Sequence, residues 1–372
     1  MKALTRLVKN DRIDLTVVGP EAPLAAGIGE QFMVRGLSIF GPTSQAALIE
    51  SSKVFSKDLM QAHNIPCAQS SSFSSYTEAR DFVQQQKPPL VVKADGLAAG
   101  KGVVVADSIP QALEALSQFM ESGKLGAAGE RVIIEEYLAG REMSTFVFTD
   151  AHTALPMVPA CDYKRAFDGD EGPNTGGMGS YSPPYFFSEA LGKTVHETIM
   201  EPTVKALHDE GRPFRGVLYG GLMLTDSGIK VLEYNARFGD PETQVVLPRL
   251  KTDLVDILAA VVNRNLDTID IEWSDDACVG VVLASGGYPA GYKTGFPISG
   301  LDDIDKDVLV FHAGTRTGSK PGEVLTSGGR VLTVVATAKT LHQAREKVYN
   351  NISRVHFEGC HYRRDIALIK EA

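Results

Sequence analysis

The chain has 372 residues, 43% hydrophobic and 22% charged, a balance that excludes disorder as the default and allows two or three separate cores. Its 46 acidic against 37 basic residues leave a formal charge of −9, which opposes condensation on nucleic acid or an anionic membrane, so a small anionic ligand would need a local basic pocket. Cys67, Cys161, Cys278 and Cys360 form no C-x-x-C pair, no apolar run approaches the roughly 20 residues that span a bilayer, and no secretion-signal plan opens the chain; the expectation is a cytoplasmic protein with reduced thiols.

Leu15 to Val18 reads as a buried strand ending at Gly19-Pro20, Leu24 to Arg35 as a helix, and Leu37 to Phe40 as a second strand, the pattern of a parallel α/β sheet. Such sheets carry ligand loops at the carboxyl ends of their strands, so Pro20 and Glu21 are candidate ligand contacts, with a plain turn as the alternative. A helix is expected from Ser44 to Ala62. Strands Leu90 to Lys93 and Val103 to Ala106 then enclose a glycine-rich loop, which suggests a lid, and a helix follows over Ile109 to Glu121. Strands recur at Val132 to Glu136, Glu142 to Thr149, Val217 to Leu224 and Lys230 to Asn235, with a long helix over Ser188 to Glu210, a mixed α+β region. After a helix over Asp253 to Asn263, the tail from Ala277 alternates turns with strands such as Val279 to Leu283 and Val331 to Ala336, then a helix after Thr340, and reads as a small further domain.

Three segments carry chemistry. In Val91-Val-Lys93-Ala-Asp-Gly96-Leu-Ala-Ala-Gly100-Lys101-Gly102, a buried strand ends in one lysine and glycines bring bare amides beside another, which suits a polyphosphate. The spacing is not that of a P-loop, and the order of lysine and loop is not that of a kinase; alone, the turn is also a common surface hairpin. In Val132-Ile-Ile-Glu135-Glu136-Tyr137-Leu138-Ala-Gly140-Arg-Glu142, an apolar strand breaks into a turn with a carboxylate beyond, offering an edge for a purine and acceptors for ribose hydroxyls, or simply an exposed acidic turn. In Val231-Leu-Glu233-Tyr-Asn235-Ala-Arg237-Phe-Gly239-Asp240, residues two apart on a strand share a face, so Glu233, Asn235 and Arg237 present hard oxygens and a cation together, a set that fits Mg²⁺. Between them the polar, glycine-rich stretch from Cys161 to Gly179 is too charged for core and too long for a simple connection. The eight histidines show no metal spacing.

On these blocks, together with Val18-Gly-Pro-Glu-Ala-Pro-Leu24, Gly172-Pro-Asn-Thr-Gly-Gly-Met-Gly179 and Asn235-Ala-Arg-Phe-Gly-Asp-Pro-Glu242, the sequence resembles the phosphoribosylamine–glycine ligase family of the ATP-grasp superfamily, essentially end to end. The resemblance implies an α/β and α+β multidomain protein: a partial N-terminal parallel-sheet (pre-ATP-grasp) domain over 1–51, an ATP-grasp domain over 52–262 with a lid subdomain at about 66–137, and a small C-terminal α+β domain over 275–372. It implies that Lys53, Lys93, Gly100, Lys101 and Gly102 hold ATP phosphates, that Glu135, Glu136, Tyr137 and Leu138 line the adenine hinge, and that Glu142 meets the ribose. Glu233 and Asn235 fall on the magnesium positions, with Mn²⁺ as the substitute ion. Pro20, Glu21, Asp162, Lys164, Asn174, Thr175, Gly176, Gly177, Met178, Arg237 and Asp240 would face glycine and 5-phosphoribosylamine. Lys93, Lys101 and Arg237 would neutralise charge in the reaction, which needs no protein nucleophile.

Family members normally begin with a further strand, loop and helix that this sequence lacks, and many superfamily enzymes carry another metal carboxylate where Gly221-Leu222-Met223 stands here. Three functional expectations follow: ligation of glycine to 5-phosphoribosylamine by a monomer or weak homodimer that binds neither nucleic acid nor membrane; an ATP-grasp ligase for another acid and amine; or a nucleotide-binding remnant with impaired turnover. No further domain is expected after Ala372.

Overall fold

The computed structural model describes residues 2–97 and 102–369, and their contacts group into two compact units. One holds Met1–Met157, Ser188–Phe238 and Leu254–Asp270; the other holds Val158–Phe187, Gly239–Asp253 and Ile271–Ala372.

The first unit opens with a helix, Lys2–Asn10, and the expected parallel pair, Thr16–Val17 beside Ile39–Phe40. The helix expected over Leu24 to Arg35 is two short ones, Glu21–Ala25 and Ile28–Met33. They part at Gly27, whose φ of +81° a side chain would oppose. The helix expected over Ser44 to Ala62 is likewise divided, into Leu48–Ser51 and Lys53–Ala62. Ser52 between them is extended, and its Oγ accepts from Phe55 N as an N-cap.

Two four-stranded antiparallel sheets follow. The first has the order Ser70–Phe73, Val132–Glu136, Leu90–Ala94, Val103–Ala106, and its apolar face packs on the helices Tyr76–Val83 and Ile109–Met120 through Val83, Val92, Leu116 and Ile134. The second has the order Gly228–Asn235, Gly216–Thr225, Arg141–Thr149, Ala154–Pro156. The long helix expected over Ser188 to Glu210 is continuous from Glu189 to Asp209 but widens into a π turn at His196–Met200, next to Pro202, which has no N–H to give the ladder.

The second unit is built on a five-stranded antiparallel sheet of order Leu309–His312, Arg330–Ala338, Ala277–Ala284, Gly179–Ser182, Cys161–Asp162. The helix Leu341–Ile352, capped by Thr340, lays Ala344, Val348 and Ile352 on Val279, Val281 and Val334 of that sheet. The polar stretch after Cys161 is ordered as a hairpin, Arg165–Phe167 with Glu171–Asn174. A fully buried guanidinium holds it: Arg363 donates to Asp170 at 2.8 Å and Asp365 at 2.6 Å and lies over the Tyr163 ring. Among the described residues no helix is long and apolar enough to cross a membrane, and all four cysteines are free thiols.

Candidate active site

In the first unit Lys93 stands near the end of the strand Leu90–Ala94 with its side chain turned toward the second sheet, where Nζ donates to Leu232 O at 3.1 Å. The strand Gly228–Asn235 makes this contact available, because its register shifts between Val231 and Glu233 and Leu232 has no cross-strand partner. Lys93 Nζ also lies 2.9 Å from Glu135 Oε2, and Glu135 Oε1 lies 3.3 Å from Lys57 Nζ. One carboxylate thus sits between two ammonium groups, and all three residues are buried. Burial pushes the Lys57 ammonium below the usual lysine range, with Glu135 opposing.

Lys53, at the first turn of its helix, donates to Gly96 O at 3.3 Å, so a second cation stands at the mouth of the glycine-rich loop. Asp95 anchors that mouth. Its Oδ1 accepts from Ser52 Oγ and Val54 N, and its Oδ2 from the guanidinium of Arg131. Burial lowers Lys53's affinity for its proton, and the nearby Glu233 carboxylate partly restores it. Gly102 is buried, and its carbonyl accepts from Ala94 N. Gly100 and Lys101 lie outside the described residues.

Ala68, Leu138 and Met223 form a small buried apolar cluster, and Leu232, whose carbonyl takes Lys93 Nζ, packs on it. Glu136 borders it, tied to Lys230 at 2.7 Å and to Gln69 N at 3.0 Å; burial pushes its carboxyl up, but these partners outweigh burial and hold it below the usual range. In the turn after the strand Val132–Glu136, Tyr137 is exposed and Leu138 is buried. Glu142, exposed on the strand Arg141–Thr149, is paired in register with Met223, a member of that cluster.

Glu233 and Asn235 are half-buried on one strand, as expected, but the strand ends at Asn235 and Arg237 lies beyond it. Arg237 joins them by reaching back: Nη2 lies 3.4 Å from Asn235 Oδ1 and 3.3 Å from Glu50, and Nε donates to Glu21 at 3.1 Å. Glu50 also accepts from Ala236 N at 2.8 Å. Its carboxyl is pushed up to about 7, chiefly by burial, against the pull of Arg237 and with Glu21 and Glu233 adding to the rise. Carboxylates therefore crowd this corner, facing Lys53 and Arg237. One carboxylate and one amide oxygen fit a magnesium ion, which takes few protein ligands and completes its shell with phosphate and water. Among the described residues no three His, Cys, Asp or Glu converge as a metal cage.

The second unit carries the other expected residues. Asp162 pairs with Ser180 across the sheet edge, Lys164 O accepts from Thr175 N and Thr175 Oγ1, and Gly177 N donates to Thr175 Oγ1. Asn174 is exposed at the end of the hairpin. Met178 is wholly buried, with its N–H given to Tyr163 O and its carbonyl taken by Val282 N, so it supports the turn from beneath. Asp240 is held by Gln244 and Arg330. Pro20, in the first unit, is the extended residue before the helix that carries Glu21.

Comparison with known proteins decides the family. The description "Phosphoribosylglycinamide synthetase, ATP-grasp (A) domain" matches residues 51–243, and the N and C domains of the same synthetase match residues 1–50 and 278–369. The chain belongs to the phosphoribosylglycinamide synthetase family. It is 50% identical over 363 residues to the phosphoribosylamine–glycine ligase of Halalkalibacterium halodurans, covering 98% of this chain and 84% of that one. It is 46% identical to the ligase of Caldanaerobacter subterraneus subsp. tengcongensis, covering 99% and 87%. The crystal structure of the Thermotoga maritima ligase superposes with a TM-score of 0.82 at 37% identity over 91% of this chain and 84% of that one. A Campylobacter jejuni biotin carboxylase, at 15% identity and a TM-score of 0.76, shares the fold alone, so the ATP-grasp architecture reaches beyond the synthetase family.

Sequence reasoning missed several residues of this synthetase's site. Lys57 lies four positions after Lys53 on one helix face, a spacing visible in the sequence. Glu50, Asp95 and Arg131 carry no such signal, because their partners are 186, 41 and 36 residues away.

Proposed function

We propose that the chain joins glycine to 5-phosphoribosylamine at the expense of ATP, giving glycinamide ribonucleotide, ADP and phosphate. The observation that supports this most is the arrangement in the first unit: Lys53 lies within electrostatic reach of Lys93, from another element, and of Glu233, which shares its strand with Asn235 and with the Leu232 carbonyl that takes Lys93 Nζ. The names of the relatives supply the substrates.

Lys53, Lys93, Gly100, Lys101 and Gly102 hold the phosphates; the backbone of Glu135 to Leu138 reads adenine and Glu142 the ribose. Glu233 and Asn235 would hold the metal, Mg²⁺ or Mn²⁺, which would neutralise phosphate charge when bound. A glycine carboxylate oxygen attacks the γ-phosphorus and the bond to the β-bridging oxygen breaks, so ADP leaves and glycyl phosphate forms. The amine nitrogen of phosphoribosylamine then attacks the carbonyl carbon, loses a proton and expels phosphate. Lys93 and Arg237 are already ordered by Glu135 and by Glu21 with Glu50, so little reorganisation opposes the charge that develops. Pro20, Glu21, Asp162, Lys164, Asn174, Thr175, Gly176, Gly177, Arg237 and Asp240 orient the acid and the amine.

In this reading residues 1–51 contribute to substrate binding, 52–262 form the ATP-grasp domain and 275–372 the C-terminal domain, in a cytoplasmic monomer or weak homodimer that binds neither nucleic acid nor membrane. The acidic balance and the four free thiols support that setting. The test is ADP formation with ATP, metal, glycine and freshly generated phosphoribosylamine, each omitted in turn and each acid and amine replaced by analogues. Dependence on both supports the proposal; ATP binding without such dependence makes this chain a nucleotide-binding protein only.

A further inference from the structure

Arg330 belongs to none of the sequence blocks that point to a ligand, yet its guanidinium ties two of them together. Standing at the start of the strand Arg330–Ala338, it donates from Nη1 to Gly176 O at 2.6 Å and Asp240 O at 2.8 Å, with Gly177 O at 3.4 Å. Its Nη2 donates to Asp240 Oδ2 at 2.7 Å. Three backbone carbonyls and a carboxylate from two segments more than 60 residues apart in sequence therefore meet on one planar fork, a geometry that a lysine's single ammonium cannot reproduce.

The surrounding residues are shaped for this contact. A Cβ at Gly176 would come within 3.0 Å of Arg330 Cζ, and one at Gly177, where φ is +110°, within 2.4 Å of Pro241 Cδ. The Gly-Gly pair thus lets the turn lie against the guanidinium on one side and Pro241 on the other. Tyr288 closes the turn by accepting from Gly176 N at 3.0 Å, and its ring lies where a Cβ at the neighbouring Gly329 would stand, 2.3 Å from Tyr288 Cδ2. Arg330 retains some exposure on its side chain, so the fork lies at the surface of the turn and not in the core.

We propose that Arg330 is a positioning residue for the acid and amine substrates: it sets the Thr175–Gly177 turn and the Asp240 carboxylate in their working places without itself entering the reaction. The inference rests on the reading of those segments as the glycine and phosphoribosylamine site. It assigns to the C-terminal part of the chain control over acceptor affinity, separate from ATP binding, whose residues lie in the other unit.

The test uses the full chain with R330Q and R330K, measuring KM for ATP, glycine and phosphoribosylamine, and amide hydrogen exchange over the peptide containing residues 172–180. Direct ATP titration of each variant checks that the first unit is folded. A misplacement of the turn by about 1 Å is worth roughly a hundredfold, so R330Q should raise the KM of glycine, of phosphoribosylamine or of both by about tenfold to a hundredfold. The KM for ATP should stay unchanged, and exchange at Gly176 and Gly177 should quicken. R330K, which retains the charge and the bond to Asp240, should recover part of the loss. Unchanged KM values in R330Q, or a parallel rise in all three, would overturn the inference. A wild-type chain with no dependence on glycine and phosphoribosylamine would remove the functional reading and this inference together, and the wild-type control tells that case from failure of the inference alone.

Discussion

Replacing Glu135 by Gln keeps the shape of the side chain and removes the one anion that Lys57 and Lys93 share. The three side chains are 2%, 5% and 8% exposed, so water cannot take the carboxylate's place. Removing one member of a buried ion pair usually costs about 3–5 kcal/mol. A ceiling follows from the lysine itself: an ammonium that titrates normally near 10.4 gives up its proton at pH 7 for roughly 5 kcal/mol, so a stranded lysine neutralises before the penalty exceeds that. Lys57 is the one that yields, because burial already weakens its hold on the proton while Lys93 keeps the Leu232 carbonyl. The predicted loss for E135Q at pH 7 is therefore about 3–5 kcal/mol.

The loss carries a pH signature. A lysine whose folded pKa is depressed binds fewer protons folded than unfolded, so its penalty shrinks as pH rises from the folded value toward the unfolded one near 10.4. Urea denaturation of the wild type and E135Q at pH 7 and at pH 9.5 should show the gap narrowing, and adding Lys57→Met to E135Q should narrow it at pH 7. A gap below about 1 kcal/mol at pH 7, or one indifferent to both pH and Lys57→Met, would refute the reasoning.

Asp95→Asn should loosen the join between Ser52–Val54, Arg131 and the loop mouth, costing about 1.5–3 kcal/mol of stability and weakening ATP binding about tenfold by calorimetric titration, with glycine KM little changed. Gly177→Ala should strain the backbone at φ +110° and drive a methyl into Pro241, with turnover at subsaturating glycine falling and the melting temperature dropping by a few degrees. Arg363→Met should cost at least about 2 kcal/mol by unpairing Asp170 and Asp365. Burial pushes Asp365 up, but Arg363 and Gly169 N outweigh it and hold its carboxyl below the usual range. The stability this gives is full above the ordinary value near 3.9 and is lost as pH falls through the folded value; the variant should lose that acid-side slope in melts taken at successively lower pH from about 4.5.

The residue pattern was most informative where periodicity and chemistry coincide. Lys93 before a glycine loop, and Glu233 with Asn235 two apart on a strand, are local patterns; the structure bonds Lys93 to Leu232 O on that same strand and sets Glu233 within electrostatic reach of Lys53. Strand positions were legible for the same reason: Val279 to Leu283 and Val331 to Ala336 are apolar runs bounded by turns, and they pair as neighbours in one sheet. Helix interruptions were not legible, because Ser52 and the π turn near Pro202 break hydrogen-bonding and leave the apolar period almost intact. The bulge at Leu232 was hidden too, since a register shift depends on the partner strand. Nor does any local rule mark Glu50, Asp95 or Arg330, whose roles come from partners far along the chain. The burial of Met178 was not legible either, because it lies inside a polar, glycine-rich block.

The most direct test of the central claim follows oxygen. With glycine labelled by ¹⁸O in both carboxylate oxygens, attack of that carboxylate on the γ-phosphorus followed by amine displacement leaves one label in the released phosphate and the other in the amide. Mass analysis of the phosphate from a turnover with ATP, glycine and phosphoribosylamine should show one ¹⁸O in each phosphate formed. Phosphate free of label, with product made, would contradict activation of the acid as an acyl phosphate.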